Sequence, residues 1–405
     1  MLTSVPLDAD PRVATRSAPA WPGGVSKFFV PELVFGPGVL DQVGDAARRL
    51  GAVRPLLVSD PGVTDAGWAR AARRSLEAAD LATTTWTGLT PNPKDHEVVA
   101  GAQAYLSEGC DVIVAVGGGS SIDAAKAIAV LVSNGGDIFD YEGIDRIPRP
   151  IPPLVAVPTT AGTGADVSQF AVITDTTRRL KATLIGRTLV PDISLTDPRV
   201  LVTMPDWLAA TTGLDALTHG VEAYVSQAAS FLTDEHALTA VGLVGQHLER
   251  SVHDPLDAAA RTGMARASLS AGLAFTNAIL GAAHAISHQV GGMLDLPHGM
   301  CNAILLPHVV RFNAEVFPSR YRPLAGAMAV PGIGALADDE VGAALADRIS
   351  TLATAIGAPR RLSEIGVTVE DLPGFAKQTL CDACLTTNPR DVLEPDVQAI
   401  LEAAF

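Results

Sequence analysis

Cysteine is scarce. Four residues in a chain of 405, Cys110, Cys301, Cys381 and Cys384, are too few and too unevenly spaced to frame a disulfide-built scaffold. The one CxxC, Cys381 to Cys384, lacks a second CxxC or a nearby His pair to complete a zinc site, and reads as two small apolar side chains on a helix. Positive charge is short as well: 29 Lys and Arg against 44 Asp and Glu leave a formal charge of −15. That balance argues against gripping nucleic acid or an anionic membrane through a basic surface. No apolar run reaches the roughly 18 residues that span a bilayer, and the first 25 residues, rich in Pro and Ala, lack the apolar stretch of a signal peptide. A cytoplasmic protein with no membrane or nucleic-acid partner is expected.

What is present is apolar and long. With 48% hydrophobic residues over 405 positions, the chain exceeds one ordinary core, and two domains with a cleft between them are expected. From about Phe28 to Pro198, short β-branched runs such as Pro55 to Ser59, Asp111 to Val116 and Leu154 to Pro158 alternate with Ala-rich helical stretches. This is the pattern of buried parallel strands in βαβ units. After Pro198 the alternation stops. Asp206 to Ser226, Asp234 to His253 and Leu256 to Ala274 carry helical periodicity instead. The expectation is a flexible extension over residues 1–25, an α/β domain over 26–198 and an all-helical domain over 199–405, divided at the Asp197-Pro198 turn signal.

Two loops point to a phosphate-bearing ligand. The strand ending at Val116 runs into Gly117-Gly118-Gly119-Ser120 and then an Ala-rich helix. Bare glycine backbone lets an anion approach, and the free N–H groups and dipole of the helix N-terminus receive it. The alternative, a tight turn and no more, stays open on that loop alone, and the usual GxGxxG after the first strand is missing. A second small-residue loop, Pro158 to Gly164, follows another expected strand and brings Thr159, Thr160 and Thr163 to the same sheet edge. Asp60, at the end of the strand from Pro55, places a carboxylate where the adenosine ribose of a dinucleotide is expected, which favours NAD over NADP; its plain alternative is to begin the turn before Pro61.

The helical half holds candidate metal ligands. Asp215, His219 and Glu222 fall at i, i+4 and i+7, beside an apolar stripe of Leu214, Leu217, Val221 and Tyr224. An Asp and a His one turn apart are by themselves more often a surface pair. Histidines number nine, however, and three of them, His284, His288 and His298, lie within fifteen apolar residues, the last in a Pro-His-Gly turn. Burying such groups without partners is costly, and a divalent ion shared with a carboxylate relieves the cost. Residue chemistry leaves open which four of Asp215, His219, His284, His288 and His298 bind it.

The segments GGGSSIDAAK, PTTAGTGAD, DALTHGVEAYVS, HAISHQVGG, LPHGMCNAILLPH and DACLTTNPR, taken in order from Gly117 to Arg390, resemble the iron-containing (group III) alcohol dehydrogenase family, particularly its ethanol, butanol and 1,3-propanediol dehydrogenase members. The resemblance runs from about Phe28 to the C-terminus. It implies a dehydroquinate synthase-like architecture: an α/β dinucleotide-binding domain followed by an all-α metal-binding domain. It also implies hydride transfer between a small primary alcohol or diol and NAD, with aldehyde reduction in reverse. The family's one Asp and three His map onto Asp215, His219, His284 and His298, with Fe²⁺ in first place and Zn²⁺ as the alternative. His288 corresponds to a histidine proposed as a proton relay. Gly118, Gly119, Ser120, Asp123, Thr159, Thr160, Thr163 and Lys181 correspond to the cofactor site, and Phe275 and Cys384 to the substrate pocket. A homo-oligomer, a dimer or larger, is expected.

Two features depart from the family: Ala165-Asp166 stands where Ser-Glu is usual, and the N-terminal extension is unmatched. The enzyme rivals are a glycerol-type polyol dehydrogenase and a dehydroquinate synthase-like enzyme; the latter needs Lys and Arg groups for a phosphorylated sugar acid, and no such cluster lies beside the histidine motifs. A rival of another class is a non-catalytic metal- or nucleotide-binding protein, which would bind both ligands without turnover.

Overall fold

The computed structural model describes residues 27–178 and 180–405, so the extension expected over residues 1–25 lies outside the described residues. The first half interleaves strands and helices: β1 (Glu32–Phe35), α1 (Val43–Arg49), β2 (Pro55–Val58), α2 (Pro61–Asp65), α3 (Trp68–Ala78), β3 (Thr84–Trp86), α4 (Asp95–Ser107), β4 (Val112–Gly117) and α5 (Gly119–Asn134). It continues through β5 (Gly143–Ile144), β6 (Leu154–Pro158), β7 (Phe170–Asp175), β8 (Leu180–Ile185) and β9 (Ile193–Thr196). Six strands pair in the order β1-β9-β6-β4-β2-β3, every pair parallel. All residues of β2, β4 and β6 are buried, as strands covered by helices on both faces must be. The connections from β2 and β4 leave in opposite directions, towards β3 and β6, which opens a crevice at their C-terminal ends where open α/β sheets bind ligands. A second, small sheet pairs in the order β5-β8-β7, parallel between β5 and β8 and antiparallel between β7 and β8.

The described residues after Thr196 contain no strand. They form α6 (Asp206–Val225), α7 (Phe231–His253), α8 (Ala258–Ala278), α9 (Ala282–Met293), α10 (His298–Ala314), α11 (Pro318–Ala327), α12 (Asp338–Ala355), α13 (Leu372–Thr379) and α14 (Glu394–Ala404). The expected apolar stripe on α6 is not a face: packed among α7, α8 and α10, the helix is buried at every position from Ala209 to Val225. Asp215, His219 and Glu222 are therefore interior groups. Between α8 and α9 the chain bends by 102°. Ile279 makes the bend with φ +62° and ψ −167°, a region otherwise left to glycine and costly for a β-branched residue, of order 1–3 kcal/mol. The start of α9 meets α6, where Glu222 accepts from Ala283 N. Among the described residues no single helix is long and apolar enough to cross a membrane.

Candidate active site

α6 supplies Asp215 and His219, α9 supplies His284 and His288, and α10 supplies His298. Here the expected Pro-His-Gly turn is corrected: Pro297 is the N-cap, extended at φ −58° and ψ 125°, and His298 is the first residue of the helix. Ligand atoms of Asp215, His219 and His284 lie within 4.8 Å of one another. Asp215 Oδ1 is 3.8 Å from His284 Nε2 and 4.0 Å from His298 Nε2.

Each of the three imidazoles has a partner on its far nitrogen. Gly162 O lies 3.1 Å from His219 Nδ1, Glu222 Oε2 lies 2.5 Å from His284 Nδ1, and Ser287 Oγ, which donates to His284 O, lies 3.2 Å from His298 Nδ1. With Nδ1–H donated outward to these oxygens, the Nε2 lone pairs are left for an ion. Burial holds the His284 and His298 imidazoles well below their ordinary pKa, and neighbouring imidazole charge acts in the same direction. Neutral imidazole is the ligating form. One carboxylate and three inward-facing imidazoles fit a divalent first-row ion. Burial also pushes the Glu222 carboxyl up to about 7.

His288 stacks on His298 at 5.1 Å between ring centroids, but its Nδ1 is 2.8 Å from Asp382 Oδ2. Burial favours the protonated acid at Asp382, yet the imidazole beside it and its hydrogen bonds hold the carboxyl below the usual range. Asp382 sits inside the CxxC, where the expectation of two cysteines on one helix fails. Cys381 is exposed after α13, whereas Cys384 is buried in a 3₁₀ turn, Ala383–Thr387, capped by Asp382. Burial raises the Cys384 thiol well above its ordinary value, so it serves as apolar wall rather than thiolate.

A cavity of about 780 Å³ joins this cluster to the sheet edge. Its lining includes Asp215, His219, His284, His288, His298, Phe275 and Cys384 from the helical half. From the α/β half come Asp60, Gly118, Gly119, Ser120, Asp123, Thr159, Thr160, Thr163 and Lys181. α5 starts at Gly119 behind the N-cap Gly118, with no capping side chain among the described residues. A Cβ on Gly119 would stand 2.8 Å from Thr163 Cγ2, so the two small-residue loops meet there only through glycine. Asp60 Oδ1 accepts from Val63 N at 2.9 Å as the N-cap of α2, and Oδ2 accepts from Ser121 Oγ at 2.8 Å, across the crevice. Asp123 accepts from Val172 N, and burial pushes its carboxyl up to about 6. Ala165 lines the cavity while Asp166 turns inward to accept from Ser194 Oγ at 2.7 Å.

Several neighbours escaped sequence reasoning. Asn92, between two prolines with φ +54°, joins Ser120, Lys181 and Asp295. Its Pro-Asn-Pro context was a visible turn signal. Asn302 Nδ2 donates to Asp215 Oδ1 at 2.8 Å and lies 3.1 Å from Nε2 of both His284 and His298. It stands one turn after His298, a spacing that could have suggested it.

A parallel sheet with a helical half behind it is the dehydroquinate synthase-like fold, and solved structures of iron-containing alcohol dehydrogenases share it with this chain. The iron-containing alcohol dehydrogenase profile matches residues 31–198, and the C-terminal profile of the Fe-containing alcohol dehydrogenase family matches residues 209–405. The chain belongs to the iron-containing alcohol dehydrogenase family and is an oxidoreductase acting on alcohols. It is 39% identical to a 1,3-propanediol dehydrogenase of Klebsiella pneumoniae, covering 93% of this chain and 98% of that protein. It is 36% identical to an NAD-dependent methanol dehydrogenase of Bacillus methanolicus, over 94% of this chain and all of the other. A crystal structure of a 1,3-propanediol oxidoreductase, 38% identical, superposes with a TM-score of 0.91 over 94% of this chain and 100% of that one.

Proposed function

We propose that the protein is a metal-dependent alcohol dehydrogenase that moves a hydride between a small primary alcohol or diol and NAD, and reduces the aldehyde in reverse. The observation that carries this reading is the one continuous cavity running from the N-terminus of α5 to the Asp215 and histidine cluster. A divalent ion held by Asp215, His219, His284 and His298, Fe²⁺ in first place and Zn²⁺ as the alternative, would supply Lewis acidity that makes an alcohol easier to deprotonate.

The chain's own groups do the rest. The N-terminus of α5, with Thr159, Thr160, Thr163 and Lys181, would hold the pyrophosphate of the dinucleotide. Phe275, its ring 4.3 Å from that of His219, and Cys384 form an apolar wall that holds the carbon chain and excludes water. His288, its Nδ1–H held by Asp382, would take the alcohol proton on Nε2 and pass it towards solvent, and bound NAD would supply the hydride acceptor. Lys181 is the one Lys or Arg among the described residues lining the cavity, which favours an uncharged substrate over a phosphorylated sugar acid. The names of the methanol and propanediol relatives support the same choice of substrate and cofactor. A homodimer in the cytoplasm belongs to this reading; the edge strand β1, with Leu33 and Phe35 exposed, is a surface a second copy can pair with.

The test is to strip the purified protein of metal, restore Fe²⁺ or Zn²⁺ separately, and follow NADH formation with a panel of alcohols and NADH consumption with aldehydes. Metal-restored, alcohol-dependent NADH formation is expected. Binding of both ligands with no alcohol-dependent turnover would overturn the reading in favour of a non-catalytic binding protein.

A further inference from the structure

Glu222 lies three residues beyond His219 on α6 and reaches across to the start of α9. That helix has no cap of its own, because its N-cap residue is Gly281. Glu222 Oε1 accepts the Ala283 N–H at 2.6 Å, and Oε2 faces His284 Nδ1 at 2.5 Å. Both side chains are buried, 3% exposed for Glu222 and 1% for His284. The fit is close: a Cβ on Gly281 would stand 3.1 Å from Glu222 Oε1.

We propose that Glu222 is a positioning residue which holds the His284 proton on Nδ1, so that Nε2 presents a lone pair to the ion, while anchoring the helix turn that carries His284. The inference rests on the metal reading given above. His219 and His298 meet only neutral oxygens on Nδ1, Gly162 O and Ser287 Oγ, so His284 is the one of the three imidazoles backed by a carboxylate. A carboxylate behind a ligating imidazole fixes its tautomer and ring plane and raises its basicity. One α6 helix thereby supplies two ligands and the group that orients a third.

Glu222→Gln separates the two roles. The carboxamide oxygen can still accept from Ala283 N–H, which the helix holds in place, so the cap survives. Its NH₂ then faces His284 Nδ1, which must become an acceptor, and the imidazole proton moves to Nε2, where the ion should bind. Zn²⁺ affinity of the metal-stripped protein, measured by competition with a fluorescent chelator, should fall about 10- to 100-fold, with circular dichroism unchanged. A folded variant that binds Zn²⁺ as the unsubstituted protein does overturns the role of Glu222 alone. An unsubstituted protein that takes up neither Zn²⁺ nor Fe²⁺ sinks the metal reading beneath it. Should the Gln variant fail to fold, ¹⁵N-histidine NMR of the unsubstituted apoprotein decides the matter, with the His284 signals assigned as those missing from His284→Asn. A proton on Nδ1 supports the inference, and a proton on Nε2 overturns it.

Discussion

Asp60 carries two roles that one substitution can separate. It caps α2 through Val63 N, holds Ser121 Oγ across the crevice between β2 and β4, and lines the cavity. The capping role is a matter of shape, and the proposed choice of NAD over NADP is a matter of charge. Asp60→Asn retains the first, since Asn caps helices as well as Asp does, and removes the second. For a carboxylate about 6 Å from a 2′-phosphate, an effective dielectric between about 20 and 80 gives a repulsion of about 0.7 to 3 kcal/mol. The ratio of kcat/KM for NADP to that for NAD should therefore rise by about 3- to 100-fold, with tenfold corresponding to about 1.4 kcal/mol. Initial rates with each cofactor at one saturating alcohol measure the ratio, and thermal melting checks that the fold is kept. Asp60→Gly should raise the ratio as well, with a further few tenths of a kcal/mol lost from the weaker cap. Equal use of both cofactors by the unsubstituted protein, or an unchanged ratio in a well-folded Asn variant, would show that Asp60 is a cap and nothing more.

The parts of the site that were legible in the sequence are those written in local spacing. Gly118 and Gly119 between a strand and a helix, or His284 and His288 one turn apart, declare their geometry within a few residues. Glu222 was visible as the third member of the α6 series, but its partners, Ala283 and His284, lie on another helix, and a sequence carries no distance across that gap. Asp382 was hidden differently: it lies between the two cysteines of a CxxC, and only the 3₁₀ turn shows that the aspartate faces His288. Lys126, the last residue of GGGSSIDAAK, is buried and donates to Ser168 O at 2.7 Å and Phe170 O at 2.8 Å, tying α5 to the segment that enters β7. Periodicity also mistook α6 for a two-faced helix. A stripe pattern assumes one wet side, and a helix enclosed on all sides keeps its polar residues for a site.

Three further outcomes are expected. His298→Ala should lose bound metal and nearly all turnover, whereas His288→Ala should keep the metal, read by elemental analysis, and lose activity; an active, metal-free His298→Ala protein would contradict the ligand set. Asp123, pushed up to about 6 against an unfolded value near 3.8, binds its proton more tightly in the folded state, so its contribution to stability is present in acid and lost as pH rises from about 4 through about 6. Urea unfolding of the apoprotein across that window should show a falling component that Asp123→Asn removes, and identical slopes in the two proteins would refute it. The last concerns Gly162, whose carbonyl is the partner of His219 Nδ1 at 3.1 Å. A Cβ there would stand 2.2 Å from the backbone oxygen of Thr212 and 2.7 Å from its Cβ, a contact no side-chain rotation can relieve. Gly162→Ala must move the loop off α6, and overpacking of this kind costs about 1–3 kcal/mol. Because the displaced atom is the one that orients His219, the variant should lose metal affinity together with stability, the first by chelator competition and the second by the urea midpoint at unchanged m. A Gly162→Ala protein with lower stability but unaltered metal affinity would separate the two, and would show that His219 is oriented by its own helix rather than by the loop.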